Sequence, residues 1–200
     1  MPRRSQQERT LATRAALIGT ARAMFAERGY AHVPADEIVA AAGLTRGAMY
    51  HHFADKKALF EAVFLDFEKS ITDELRAFTQ AQEGWSGVLL GLSHFLDMCE
   101  RPEVRQIGLT DAPTVLGWSR WREIESEYGL GVVIEQLEQL ADAGELAPGA
   151  PVAVLAQLAL SAVIEAALLI AHADDPKRAR TQAEGALVTL LSGMVLPPRS

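Results

Sequence analysis

The sequence is poor in several things, and each shortage narrows what the chain can be. It holds one cysteine, Cys99, in 200 residues. A single thiol excludes an internal disulfide and a cysteine metal cage, and it suits a reducing compartment. The opening MPRRSQQERT has arginines but no apolar run behind them, so no secretory leader is expected and the chain is read as cytoplasmic. No segment alternates apolar and polar residues as a half-buried strand does, and no repeat is present. HExxH, a glycine-rich phosphate loop and paired acids in a catalytic context are all missing, so no enzyme, cofactor or metal site is expected. The most apolar segment, Pro151 to Ala173, is interrupted by Gln157 and Glu165 and is rich in alanine, so it is expected to be a buried helix rather than a membrane span.

What is there is helical periodicity and a lopsided charge. Apolar residues make up 49% and charged residues 22%, an ordinary soluble balance. The net charge of −7 argues against a nucleic-acid partner until its distribution is considered. Through Phe60 there are nine Lys or Arg against five Asp or Glu, a net +4, which leaves −11 on the remainder. A basic head on an acidic body confines the electrostatic footprint to one end of the chain.

The helical stripes divide the chain as follows. A first helix runs from about Gln7 to Arg28, with Leu17, Ile18, Ala21, Met24 and Phe25 on one face, and Gly29 stops it. Two short helices occupy Pro34 to Phe53. Asp55 caps a long fourth helix to about Ala81, striped by Phe60, Val63, Phe64, Phe67, Ile71, Leu75 and Phe78. Trp85 to Cys99 forms a fifth helix, in which Gly87 and Gly91 allow close approach by a neighbour. Glu103 to Leu109 is a short sixth, Asp111-Ala112-Pro113 a turn, and Val115 to Ala141 a seventh with a bend expected at Gly129 or Gly131. Pro151 opens the eighth, and Asp175-Pro176 the ninth, which ends near Gly193. The fold class is all-α.

The stretch PADEIVAAAGLTRGAMYHHF, residues 34–53, organises the rest. Ile38, Val39, Ala41 and Ala42 give a short helix one buried face, and Gly43 permits the left-handed turn into the next. Thr45 caps that second helix. Met49 is its one large aliphatic residue, which leaves Arg46, Gly47, Ala48 and His51 outward. Two short helices joined by a tight glycine turn make a helix-turn-helix reader of the DNA major groove. In it, Arg46 suits a bidentate contact to guanine, and Gly47 and Ala48 let the helix approach the base edges. Thr45, Tyr50 and His51 carry short donors for phosphates, and Lys56, at the next helix N-terminus, holds another. Part of the Tyr50 ring also belongs to the core. His51, His52 and Asp55 are not expected to share a metal, because adjacent helical residues do not face one another.

The run AAGLTRGAMYHHFADKKALF resembles the signature of the tetracycline-repressor (TetR) type of regulator, and the resemblance extends back through ARAMFAERGY and forward to about Phe67. It is carried by the AAG turn, the Thr-Arg-Gly start of the second reader helix, the Tyr-x-His-Phe run and the lysine of the next helix. Val33-Pro34 departs from it, standing where the family usually has a capping Thr or Ser. The resemblance implies an N-terminal three-helix DNA-binding domain (1–58) joined by the long helix to an α-helical ligand-binding and dimerisation domain (59–200). It implies a homodimer formed through the last two helices, a palindromic double-stranded operator, and a small-molecule inducer bound in the body. No membrane partner is implied.

The residues of the body agree with parts of this. The last two helices are apolar on more than one side and rich in alanine, so one side covers the domain and the other suits a second copy, with Ala162 and Ala166 as positions to test. His94, Phe95, Met98, Trp118, Trp121 and Tyr128 are candidates for an aromatic cavity, though the same composition also makes plain core. Glu165 is left open between an arginine partner, the dimer seam and a ligand. Two rival functions are weighed: an all-α enzyme, for which no motif appears, and a non-specific architectural DNA-binding protein, which needs no large acidic body.

Overall fold

The structure, a computed structural model, describes residues 6–196; the arm bearing Arg3 and Arg4 and the Pro197-Pro198 tail lie outside them. The described residues form nine α-helices and no strand, with one isolated antiparallel bridge between Leu146 and Val195. The chain divides into two compact units. The first holds residues up to Phe67 together with Pro102–Trp121, and the second holds Glu68–Arg101 and the residues from Arg122 onward. This differs from a break at residue 58. The apolar stripe of the fourth helix continues without interruption through Phe60, Val63, Phe64 and Phe67, all buried, so the first unit keeps that half of the helix.

In the first unit, α1 (Gln6–Arg28) buries Leu17, Ile18, Ala21 and Phe25. A single 3₁₀ turn, Tyr30–His32, follows Gly29. Next come α2 (Ala35–Ala41), α3 (Arg46–His52) and the first half of α4 (Lys56–Thr79). Phe25, Tyr30 and Phe60 meet pairwise with ring centroids 5.1–5.5 Å apart, tying α1 to α4.

The segment Val104–Asp111 is wound as a π-helix and continues into α6 (Ala112–Leu116), where the sequence suggests a turn. Pro113 sits in the first turn of α6, a position at which its missing N–H costs little. Gly117, at φ 86°, then makes the break, and α7 (Trp118–Asp142) runs unbroken through Gly129 and Gly131. The 102–121 segment is held to the head by polar contacts across more than eighty residues of sequence. Tyr30 N–H donates to Asp111 Oδ2 at 2.8 Å, and Arg22 Nε donates to Glu103 Oε1 at 2.6 Å. Gly29, at φ 76°, approaches Gln106 so closely that a Cβ there would lie 2.9 Å from the Gln106 amide nitrogen.

A testable consequence follows for truncation. A fragment ending at residue 58 lacks Phe60, Phe64, Phe67, Ile107 and Trp121, which are fully buried or nearly so in this unit. Losing any one large core side chain costs about 2–5 kcal/mol, against a total of about 5–15 kcal/mol for a domain. The fragment is expected to show no cooperative melt by circular dichroism, whereas the whole chain does. A cooperative transition in the fragment would show that the head core closes before Phe60.

In the second unit, α5 (Gly84–Cys99) packs on α8 (Val152–Ala171) and α9 (Pro176–Ser192), which also pack on each other. Leu92, Leu96, Ala159, Ala166, Ile170, Leu187 and Leu191 form one buried cluster, and Leu137, Leu140, Leu146 and Ala156 form another. At Gly91 another helix does come close, a Cβ there lying 2.9 Å from Thr79 of α4, whereas at Gly87 the close neighbour, also at 2.9 Å, is Gln82 in the turn that enters α5. Arg180 of α9 ties to α5 through Asp97 and the Ser93 carbonyl, and to its own helix through Glu184.

Helix α8 differs from the sequence expectation. It is long and apolar enough to cross a membrane by length and composition, with a mean hydropathy of 2.2 and 39% of its best window buried. One side packs on α5 and α9. The other exposes Val154, Leu158 and Leu169, with the charged Glu165 between them. Glu165 has no ionic or hydrogen-bonding partner among the described residues, so an intrachain arginine does not account for it.

Candidate nucleic-acid interface and body cavity

In the head, α2 buries Ile38 and Val39 and leaves Ala41 exposed. Pro34 stands at its N-cap without a side-chain hydrogen bond, as the substitution for a capping hydroxyl implies. Gly43, at φ 66°, makes the turn into α3. Thr45 Oγ1 accepts from the Ala48 N–H at 3.3 Å and so caps α3. Met49 is fully buried, which turns the opposite face of this seven-residue helix outward.

On that outward face the candidate DNA contacts fall together. Thr45, Arg46, Gly47, Tyr50 and His51 are exposed, and Ala48 is half-buried. The Arg46 guanidinium lies 3.4 Å from Asp36 and 5.7 Å above the Tyr50 ring. Both side chains of the Arg46–Asp36 pair are about two-thirds exposed, so the pair is worth about 0–1 kcal/mol and exchanges readily for another acceptor. His51 and His52 meet edge to ring with centroids 5.2 Å apart, closer than adjacent helical positions suggest. No group of three His, Cys, Asp or Glu suited to a metal occurs among the described residues. Burial is the main cause holding the His52 imidazole below its ordinary range, with His51 and Arg14 adding to it.

Lys56 does more than face solvent. Its Nζ donates to the Tyr30 carbonyl at 2.8 Å and the Val33 carbonyl at 2.9 Å, and sits 3.9 Å from the Tyr30 ring centroid. One of its three donors is left for a phosphate. Hydrogen bonds to a charged donor contribute about 1.5–3 kcal/mol each when buried, and less at this partial exposure. Lys56→Met is therefore expected to lower head stability by about 1–3 kcal/mol, while the exposed Lys57→Met changes it little. Paired thermal melts without DNA separate this clamp from a purely DNA-facing lysine, which would leave the melt unchanged.

The second unit contains a cavity of about 130 Å³ that is partly open to solvent. Glu68 and Thr72 of α4, Trp85 and Phe95 of α5, and Glu125 and Gln136 of α7 line it, and α8 and α9 add aliphatic side chains. Of the six body residues singled out in the sequence, Phe95 lies in this wall and the others do not. His94 instead stacks on Phe78 at 4.1 Å, and Met98 is fully buried. Trp118 and Trp121 belong to the first unit, Trp118 being 58% exposed and Trp121 completely buried with its indole N–H unpaired. The Tyr128 ring is absent from the wall because α7 turns Glu125, Gly129, Val132 and Gln136 inward. The missed residue is Glu68. It sits with Phe64, Ile71 and Leu75 at core spacing on α4, an acid where the period calls for a hydrophobe, and that is its signal in the sequence.

An all-α chain with a helix-turn-helix head of this geometry defines a class of DNA-binding regulators, and comparison with known proteins places it within that class. Residues 17–63 match the family described as bacterial regulatory proteins, tetR family, and residues 85–194 match the tetracyclin repressor-like C-terminal domain. The TetC protein of transposon Tn10 from Escherichia coli is 32% identical over 141 residues, 70% of this chain and 72% of that one. An HTH-type transcriptional repressor of Mycobacterium tuberculosis is 28% identical over 183 residues, 89% of this chain and 92% of that one. The crystal structure of a TetR-family transcriptional regulator from Pectobacterium atrosepticum superposes with a TM-score of 0.88 at 35% identity, covering 98% of this chain and all of that one. The chain belongs to the tetR family of bacterial transcriptional regulators, and is not an enzyme.

Proposed function

We propose that the protein is a homodimeric repressor that binds a palindromic operator and leaves it when a small-molecule inducer enters the body. Arg46 reads a base, and Thr45, Tyr50, His51 and the remaining donor of Lys56 hold phosphates. Gly47 and Ala48 allow the close approach. The observation that carries this reading is the face of α3, where a weakly held arginine stands beside two small residues opposite the buried Met49. Functionally the division of labour falls at residue 58, with reading by 1–58 and ligand binding and dimerisation by 59–200. The protein acts in the cytoplasm.

Inducer binding is supported by the cavity and by fold relatives whose structures hold small molecules. SmeT with triclosan and RolR with resorcinol share the fold at TM-scores of 0.62 and 0.67. Helix α4 is continuous from Lys56 in the head to Thr79, and its second half lines the cavity. A ligand that favours one position of α4 over another shifts the reader through that helix, with a coupling on the order of 1–3 kcal/mol. The test is a titration with a duplex selected from a random pool and with random duplexes, at two salt concentrations. A repressor prefers the selected duplex at both salts. Equal affinity for all duplexes marks an architectural protein instead.

A further inference from the structure

The cavity of the second unit holds a buried carboxyl that no cationic side chain of the wall faces. Glu68 is 7% exposed, lines the cavity, and receives no hydrogen bond or salt bridge from any described residue. Glu125, from α7, lines the same space. No Lys, Arg or His lies in the wall; its other polar side chains are Thr72, Thr79 and Gln136, and α5, α8 and α9 present it with apolar groups. A carboxyl buried in this way without a cationic partner costs several kcal/mol when ionised, and a fold that needed only packing would be served by a hydrophobe at position 68.

We infer that the cavity takes an organic amine, a compact apolar or aromatic body with one protonated nitrogen set against Glu68 and Glu125. This rests on the reading of the cavity as the inducer site and deepens it. The apolar walls hold the body of the ligand, and the two acids select its charge. Burial pushes the Glu68 carboxyl well above the ordinary carboxylate range, and the Glu125 carboxylate pushes it the same way. An ammonium set against Glu68 favours the ionised carboxylate, so a proton that Glu68 holds in the empty cavity passes to solvent as the cation enters, with no net change in site charge. The Cys99 thiol on α5, also near these acids, is raised first by burial and then by Glu125, Glu68 and Glu100, against Arg180, and it stays neutral throughout. A carboxylate ligand would meet like charge in a low-dielectric space, and an alcohol offers a hydrogen bond without charge.

The test is calorimetry of the whole chain at pH 7 with three matched probes, 4-phenylbutylamine, 4-phenylbutan-1-ol and 4-phenylbutyrate, in phosphate and in Tris buffer. The amine is expected to bind at least about tenfold tighter than the alcohol, with the carboxylate weakest, since one good ionic contact changes affinity by that much or more. The amine alone should show a binding enthalpy that differs between the two buffers, the signature of proton release. Glu68→Gln should bring the amine down to the alcohol and erase the buffer difference. Should that variant melt without cooperativity, Glu125→Gln carries the test, with a smaller loss of the amine preference. If the alcohol or the carboxylate binds as tightly as the amine, the inference falls while the inducer site stands. An amine preference that persists unchanged in Glu68→Gln also overturns it. If none of the three binds, the cavity is not a ligand site, and the inducer reading falls with the inference.

Discussion

Leu158→Arg is expected to leave the chain folded and make it monomeric, with operator affinity reduced about 10²–10⁴-fold through loss of the linked second half-site. Leu158 is 60% exposed on α8, so an arginine there meets water in the single chain. Val154, Leu169 and Leu190 are exposed to a similar degree, 57–60%, on the outward sides of α8 and α9. Single exposed leucines are ordinary, but a row of them along two packed helices makes a patch of the kind that marks an interface. In the proposed homodimer a second copy of the same patch would cover it about a two-fold axis, and an arginine at position 158 would be buried opposite its own image. Ala166 behaves differently. It is 5% exposed within the cluster shared by α5, α8 and α9, so Ala166→Arg is expected to unfold the body rather than split a dimer of intact chains. Sedimentation and operator titration of both variants distinguish the two outcomes. A single-chain mass for the unmodified protein at micromolar concentration would remove the seam altogether.

Arg46→Ala has an expected effect of similar size. A bidentate arginine–guanine contact contributes about 1–3 kcal/mol of discrimination, and a dimer loses it in both half-sites, so about 2–6 kcal/mol disappears from the selected operator. The ion pair with Asp36 offsets little of this, because it is exposed and worth about 1 kcal/mol or less. Affinity for random duplexes should fall far less, with a salt slope close to that of the parent, since phosphate contacts are untouched. The measurement is a panel of single-base operator variants. If Arg46→Ala ranks them as the parent does, Arg46 is a backbone contact and another side chain of α3 reads the bases.

Much of this architecture is legible in the sequence where one period and one stop residue coincide. Gly29, Gly43 and the Thr45 cap set the head helices within a residue or two, and Asp55 caps α4 through Ala58 N–H as its type and position suggest. The sixth helix is harder to read. Asp111-Ala112-Pro113 looks like a turn, yet the π-helical winding of 104–111 brings Asp111 to the Tyr30 N–H, a partner no local pattern announces. The cavity is the least legible feature. Aromatic richness points to Trp118 and Trp121, but Trp121 is itself core, and cavities form where side chains fail to meet, a property of packing rather than composition. The acid at position 68 is the better guide, because a charge at a core position has to be accounted for by something. Lys56 shows the same limit on a smaller scale: helix position suggests a phosphate, and the Tyr30 and Val33 carbonyls it grips lie more than twenty residues upstream.

The grip of residues 102–121 on the head has a consequence for how the protein is made. A ribosome adds about 5–20 residues per second, so Trp121 emerges roughly 3–13 s after residue 58. During that interval the nascent head lacks Asp111 for Tyr30, Glu103 for Arg22 and Gly108 against the Phe67 ring. The head is therefore expected to complete its core, and to compete for DNA, only after the acidic body has begun to follow it out.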